Sequence, residues 1–291
     1  MHQSILDFGG RRYLKIALAL CGLSLALYLW HDPRSPPNGG TWLGYTLGGI
    51  GAALILWLTA LGVRKRSYGS TLGTLQGWVS AHVYLGLALV VVATLHAGFQ
   101  FGWNIHTLCY VLMVVVIASG LLGIVLYQRF PQQLSQNRAQ QTSAQMLAEL
   151  QELDERTRRV AMNASADERS AIEANIAGTR IGGSTAAILS ARDRSTVRLP
   201  GGALHPEPNP GQARMLEWLS ARLSGSDAAA RTRTLTDLVS LIGARRALLR
   251  RLQQDARLGG WLSVWLYVHV PVTFGLLGSL IAHVVSVFLY W

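Results

Sequence analysis

The sequence predicts an all-α fold: an integral membrane bundle of five transmembrane helices with a mainly helical cytoplasmic insert between helices four and five. Three observations carry this. Half of the 291 residues are hydrophobic and only 14% are charged, a balance found in membrane proteins rather than soluble enzymes. Five runs, at 13–30, 43–62, 78–101, 107–127 and 261–290, hold no Asp, Glu or Arg, and Lys15 is their one basic residue. Each is long enough to cross a hydrocarbon core of about 30 Å. Histidines recur inside two of these runs at one fixed spacing. Residues 1–130 thus carry helices one to four, 131–258 the insert, and 259–291 the fifth helix.

Arg11 and Arg12 precede the first run and Lys15 lies near its start, and the run has the short apolar core of a signal peptide. No small-residue cleavage site precedes His31, so it reads as a retained anchor. A Pro- and Gly-rich loop, HDPRSPPNGGTW, joins it to the second run and is too short to be a domain. The second run contains Gly48, Gly49, Gly51, Ala52 and Ala53. Residues this small let a neighbouring helix, or a flat macrocycle, come close. Arg64, Lys65 and Arg66 follow it and Arg129 follows the fourth run, while the opposite side shows only Arg34. The positive-inside rule then places the amino terminus and the insert in the cytoplasm and the carboxyl terminus outside. Trp30, Trp42, Trp78, Trp103, Trp261, Tyr290 and Trp291 sit near the run ends, as an interfacial belt requires. The net charge of +11 is in part this topology. Without interleaved aromatic and basic residues it gives no sign of nucleic-acid binding.

The third run holds His82 and His96, and the fifth holds His269 and His283; each pair is fourteen residues apart. Fourteen residues at about 1.5 Å and 100° each put two imidazoles about 21 Å apart on one helix face. Both helices run outward under this topology, so His82 meets His269 and His96 meets His283 at similar depths. Imidazole is a haem ligand and an ionisable group is costly in lipid, so the four together read as axial ligands of two haems. One haem, another metal, a proton relay or polar packing between helices are the other uses of such residues. Cys21 and Cys109 lie in different runs and form no C-x-x-C motif, which leaves no iron–sulfur site and no covalent haem attachment. The haems would be b-type. Histidine on both faces of each iron leaves no open position, which favours electron transfer over oxygen chemistry. Pro271, two residues after His269, predicts a kink there. His106 opens the fourth run beside Trp103 and Asn104. Its candidate roles are a propionate contact, a quinol contact, an interfacial cap, or ligation in place of His96 or His283. His2, His31 and His205 lie in polar or loop surroundings and receive no role.

From Phe130 to Leu258 the composition turns to Gln, Ala, Arg, Glu and Ser, with 18 arginines, no lysine and 13 acidic residues. Met146, Leu150, Leu153 and Val160 follow a helical stripe, as do Leu235, Leu238, Ile242, Leu249 and Leu252. GTRIGGST and LPGGALHPEPNPGQ between them read as turns and loops, and the glycine run lacks the lysine of a phosphate-binding loop. The arginine run of 245 to 257 leads into the fifth helix and reads as resting on anionic lipid headgroups. The insert as a whole reads either as a docking surface for a cytoplasmic partner or as a solvated helical hairpin.

The five runs and the four histidines His82, His96, His269 and His283 resemble the membrane cytochrome b subunits of respiratory oxidoreductases, a group of small di-haem, quinone-linked helix bundles. The resemblance does not extend to the insert, which departs from their compact pattern. It implies two haem b cofactors, quinone as membrane substrate, a bacterial-type inner membrane, and iron–sulfur, flavin or cytochrome c subunits as partners. The implied activity is electron transport across the membrane within a respiratory complex. Two other readings remain: a self-sufficient transmembrane reductase of metal or small donors, and a non-redox membrane adaptor that recruits a cytoplasmic protein.

Overall fold

The computed structural model describes residues 5–33, 38–67, 69, 71–190, 192–202, 205–226 and 228–289. Arg34 and its loop neighbours, residues 203–204 of the second glycine-rich loop, His2, and the belt residues Tyr290 and Trp291 lie outside them. The described chain is almost wholly helical. Its order is α1 (Phe8–Trp30), α2 (Trp42–Arg66), α3 (Leu75–Ala97), α4 (Ile105–Arg138), α5 (Ser143–Ala161), α6 (Ala166–Ala177) and α7 (Thr185–Leu189). Two short strands follow, β1 (Thr196–Val197) and β2 (Glu207–Pro208), then α8 (Ala213–Ser224) and α9 (Ala229–Leu289). Five of these helices, α1 to α4 and α9, are long and apolar enough to cross a membrane. The chain divides into two compact units, one of Met1–Val125 with Trp265–Trp291, the other of Leu126–Val264.

In the first unit α3 packs against both α1 and α2. One core joins Ile55 and Leu58 of α2, Leu89 of α3, Cys109 and Met113 of α4, and Leu276 and Leu280 of α9. A second joins Leu43, Leu47, Val92 and Leu95, with Leu20 and Leu27 of α1 against it. Leu29, Trp30, Phe274, Ile281 and Phe288 stay exposed, as side chains facing lipid would. Thr41 and Thr74 cap α2 and α3 by accepting the N–H groups of Gly44 and Gly77.

Within the third apolar run, 78–101, α3 stops at Ala97, where Gly98 turns left-handed at φ 58°. A residue without Cβ adopts that geometry freely, so a helix ends there despite its apolar sequel. The fifth helix continues through Pro271 without interruption. Two residues past it, Thr273 donates its hydroxyl to the carbonyl of His269 at 2.7 Å.

The second unit is a folded body with its own core, and not a solvated hairpin. Ala161, Ile172, Val197, Met215, Leu219 and Ile242 form one cluster, and Met146, Leu150, Leu248, Leu249 and Leu252 a second. Both predicted apolar stripes thus face inward. Capping boxes open α5 at Thr142 and Gln145 and α6 at Ser165 and Glu168. The strands pair antiparallel, Thr196 with Pro208 and Val197 with Glu207.

Part of the arginine run of 245 to 257 turns inward, while Arg250 and Arg257 are exposed. Arg245 is 1% exposed and donates to Asp154 at 2.5 Å, to Thr179 at 2.9 Å and to Gln212 at 3.0 Å. Arg251 donates to the carbonyls of Asn137 and Arg138 and to the Gln141 side chain. These two guanidiniums tie helices of the unit together. Burial pushes the Glu168 carboxyl up, but bonds from the Ser165 N–H and the Arg231 guanidinium outweigh it and hold it below the usual carboxylate range.

Candidate functional site

The four membrane histidines are strapped to neighbouring helices through one ring nitrogen each. His82 Nδ1 lies 3.0 Å from the Leu58 carbonyl, and His96 Nδ1 lies 2.8 Å from the Gly44 carbonyl. Leu58 and Gly44 are themselves fourteen residues apart, in reverse order, so α2 runs antiparallel to α3 and meets both rings in one register. A carbonyl only accepts, so each ring carries its proton on Nδ1 and keeps a lone pair on Nε2.

His269 reaches the same state by another route. Its Nδ1 lies 2.7 Å from the Ser119 hydroxyl, which already donates to the Val116 carbonyl at 2.8 Å. A hydroxyl has one proton, so His269 is the donor and its Nε2 is again bare. Trp265 stacks on the ring, with centroids 5.0 Å apart and planes 21° from parallel, and gives its own N–H to the Ser119 carbonyl at 2.6 Å. Gly123 makes this possible. A Cβ there would fall on the Trp265 ring.

His283 differs from the other three. Its Nδ1 lies 2.6 Å from Nδ1 of His106, with ring centroids 4.5 Å apart and planes 85° from parallel. His106 itself is exposed. The His283 ring also lies 6.0 Å from His96, centroid to centroid, at 75°. His82 and His269 are within electrostatic reach of each other. The number offset between His96 and His283 equals that between His82 and His269, which means α3 and the last part of α9 run parallel and in register.

A cavity of about 1040 Å³ opens between these helices at the His96 end, lined by Gly48, Ile55, His96, His106, Met113 and His283 among other residues. Its lining is mainly apolar, and its size is at the upper end of pockets that hold small molecules, about 300–1,000 Å³. Among the small residues of α2, Gly48 is the one the ring needs: a Cβ there would come 2.7 Å from His96 Cε1, whereas one at Gly49 would meet nothing within 4 Å. Tyr110 also lines this cavity. Thr94 has given its hydroxyl to the Val90 carbonyl, so Tyr110 donates to Thr94 at 2.9 Å.

Among the described residues no group of three or more His, Cys, Asp or Glu side chains could hold a metal ion. The donors come in twos. Two imidazoles bound to one metal from opposite faces at about 2 Å would have ring centroids roughly 6 Å apart, close to the separation of His96 and His283. That spacing is what a planar macrocycle with its own equatorial ligands would need between His96 and His283. Ser119, Trp265 and the His106–His283 contact were not read from the sequence. The small residues Ser119, Gly120 and Gly123, one turn apart on α4, were the available sign of a close approach. A scan of protein-family models and searches of curated proteins and of solved structures find no match to the chain.

Proposed function

We propose that the chain is a di-haem cytochrome b that passes electrons across a membrane. His82 and His269 would hold one haem, and His96 and His283 the other. A haem held there would supply a one-electron couple. The observation that carries the reading is the shared state of the imidazoles. Three of the four donate Nδ1–H to a fixed acceptor on a neighbouring helix and leave Nε2 to coordinate, the orientation that outer-sphere partners impose on metal-bound histidine. Along α3 the two ring positions are about 21 Å apart, enough to relay an electron over most of the hydrocarbon thickness.

The protein's own part is orientation and exclusion of water. The Leu58 and Gly44 carbonyls and Ser119 fix three rings, Trp265 clamps one from its face, and apolar side chains close the cavity wall. The basic residues at 64–66 and 129 support an orientation with the amino terminus in the cytoplasm of a bacterial-type cell. No nicotinamide or flavin fingerprint and no cluster ligands occur in the sequence, so hydride chemistry would fall to partner subunits carrying flavin, iron–sulfur clusters or haem c. Quinone is the proposed membrane substrate, with the cavity beside His106 as its place of contact.

The test is the dithionite-reduced minus oxidised spectrum with pyridine-haem quantification, on wild type and on His82→Ala, His96→Ala, His269→Ala and His283→Ala. The expected result is two haems b per chain in wild type and the loss of one when either member of a pair is removed. A folded preparation without haem overturns the proposal and favours a membrane adaptor.

A further inference from the structure

His82, His96 and His269 lean on groups that belong to the helix framework: two backbone carbonyls and a serine already tied to its own helix. His283 leans on a side chain, His106, that is free of the helix backbone and exposed. We propose that His106 is the positioning residue of His283: it accepts the Nδ1–H of His283, turns its Nε2 toward His96, and so sets the properties of that haem alone. This rests on the haem assignment above.

The argument is one of proton count and distance. Two Nδ1 atoms 2.6 Å apart share one proton. If His283 is to present a bare Nε2, as the other three rings do, its proton lies on Nδ1 and His106 accepts with Nδ1 and carries its own proton on Nε2. Acceptance at Nδ1–H makes the ligand a stronger donor to the metal and fixes its plane. A stronger donor favours the oxidised iron, so removal of the acceptor raises the potential of that haem. Because the acceptor is a side chain, it can be exchanged without disturbing the helices. The same exchange is impossible at Gly44 or Leu58, where the acceptor is main chain. Asparagine places its Oδ1 where histidine has Nδ1, so it keeps an acceptor at this point, while leucine fills the space without one.

The experiment compares full-length wild type, His106→Leu, His106→Phe and His106→Asn in detergent. It reads haem per chain, potentiometric titration of the reduced spectrum, and the low-spin electron paramagnetic resonance signals of the oxidised protein. In His106→Leu and His106→Phe both haems remain, one potential rises, one low-spin signal moves, and affinity for that haem falls about tenfold. In His106→Asn both readouts return to wild type. Unchanged potentials and signals in the leucine and phenylalanine variants overturn the inference. So does failure of asparagine to restore them, and so does loss of one haem in all three variants, which would make His106 a ligand. Wild type without haem overturns the haem assignment and this inference with it.

Discussion

Arg245 in the second unit and His96 in the first are both polar side chains set among apolar neighbours, yet they are satisfied differently. Arg245 spends its donors on Asp154, Thr179 and Gln212. His96 spends one nitrogen on the Gly44 carbonyl and directs the rest of its ring into a cavity. A buried charge met in full by protein side chains is a fixture of the fold. A half-buried ring met on one nitrogen leaves the other free on the cavity side, which is what the proposed haem assignment uses.

The strongest way to test the first half of this contrast is to strand a charge. Arg245→Met leaves Asp154 without its main partner and should cost about 3–5 kcal/mol, read as a lower denaturant midpoint of the second unit in the full chain. Asp154→Leu added to it should recover most of the loss, since replacing both members of such a pair is often nearly neutral. On the other side, under the proposed haem assignment, Gly48→Ala should push the His96 ring and lower haem affinity at the His96 and His283 pair by about tenfold, with the other haem retained. Gly62→Ala, with open space at its Cβ, should leave both haems in place.

A smaller effect follows from Glu168, whose carboxyl is held below the usual range in the folded protein. It contributes stability above the ordinary carboxylate pKa and loses it as the pH falls through the lowered folded value. Thermal unfolding of the second unit should therefore show less acid sensitivity in Glu168→Gln than in wild type. A similar acid slope in both proteins would show that other carboxylates dominate. The smallest expected change is at the end of α3, where Gly98→Ala must hold φ 58° and should cost about 1 kcal/mol. A melting shift no larger than that of a surface substitution would mean the turn relaxes.

Much of the helical architecture was legible because lipid imposes long uninterrupted apolar runs. The four histidines stood out because they recur at one spacing inside two apolar runs. What supports them was not legible. The acceptors for His82 and His96 are backbone carbonyls, which every residue possesses, so neither Gly44 nor Leu58 announces its role by side chain. Trp265 gave no sign in the sequence of the place its ring takes against His269. The second unit was under-read for the opposite reason: its arginine run reads as resting on lipid headgroups because composition does not reveal that Arg245 points inward at an aspartate from a separate helix.

The antiparallel match of α2 and α3 has a consequence for how this chain can change. His82 with Leu58 and His96 with Gly44 are two contacts on one pair of helices, like two teeth of one gear. One residue gained or lost between them, on either helix, would turn one contact by about 100° while the other stayed engaged. Side chains along this stretch can be exchanged over generations, but their number cannot. Lineages that carry this arrangement should vary in spelling between residues 44 and 58 and between 82 and 96, and never in length.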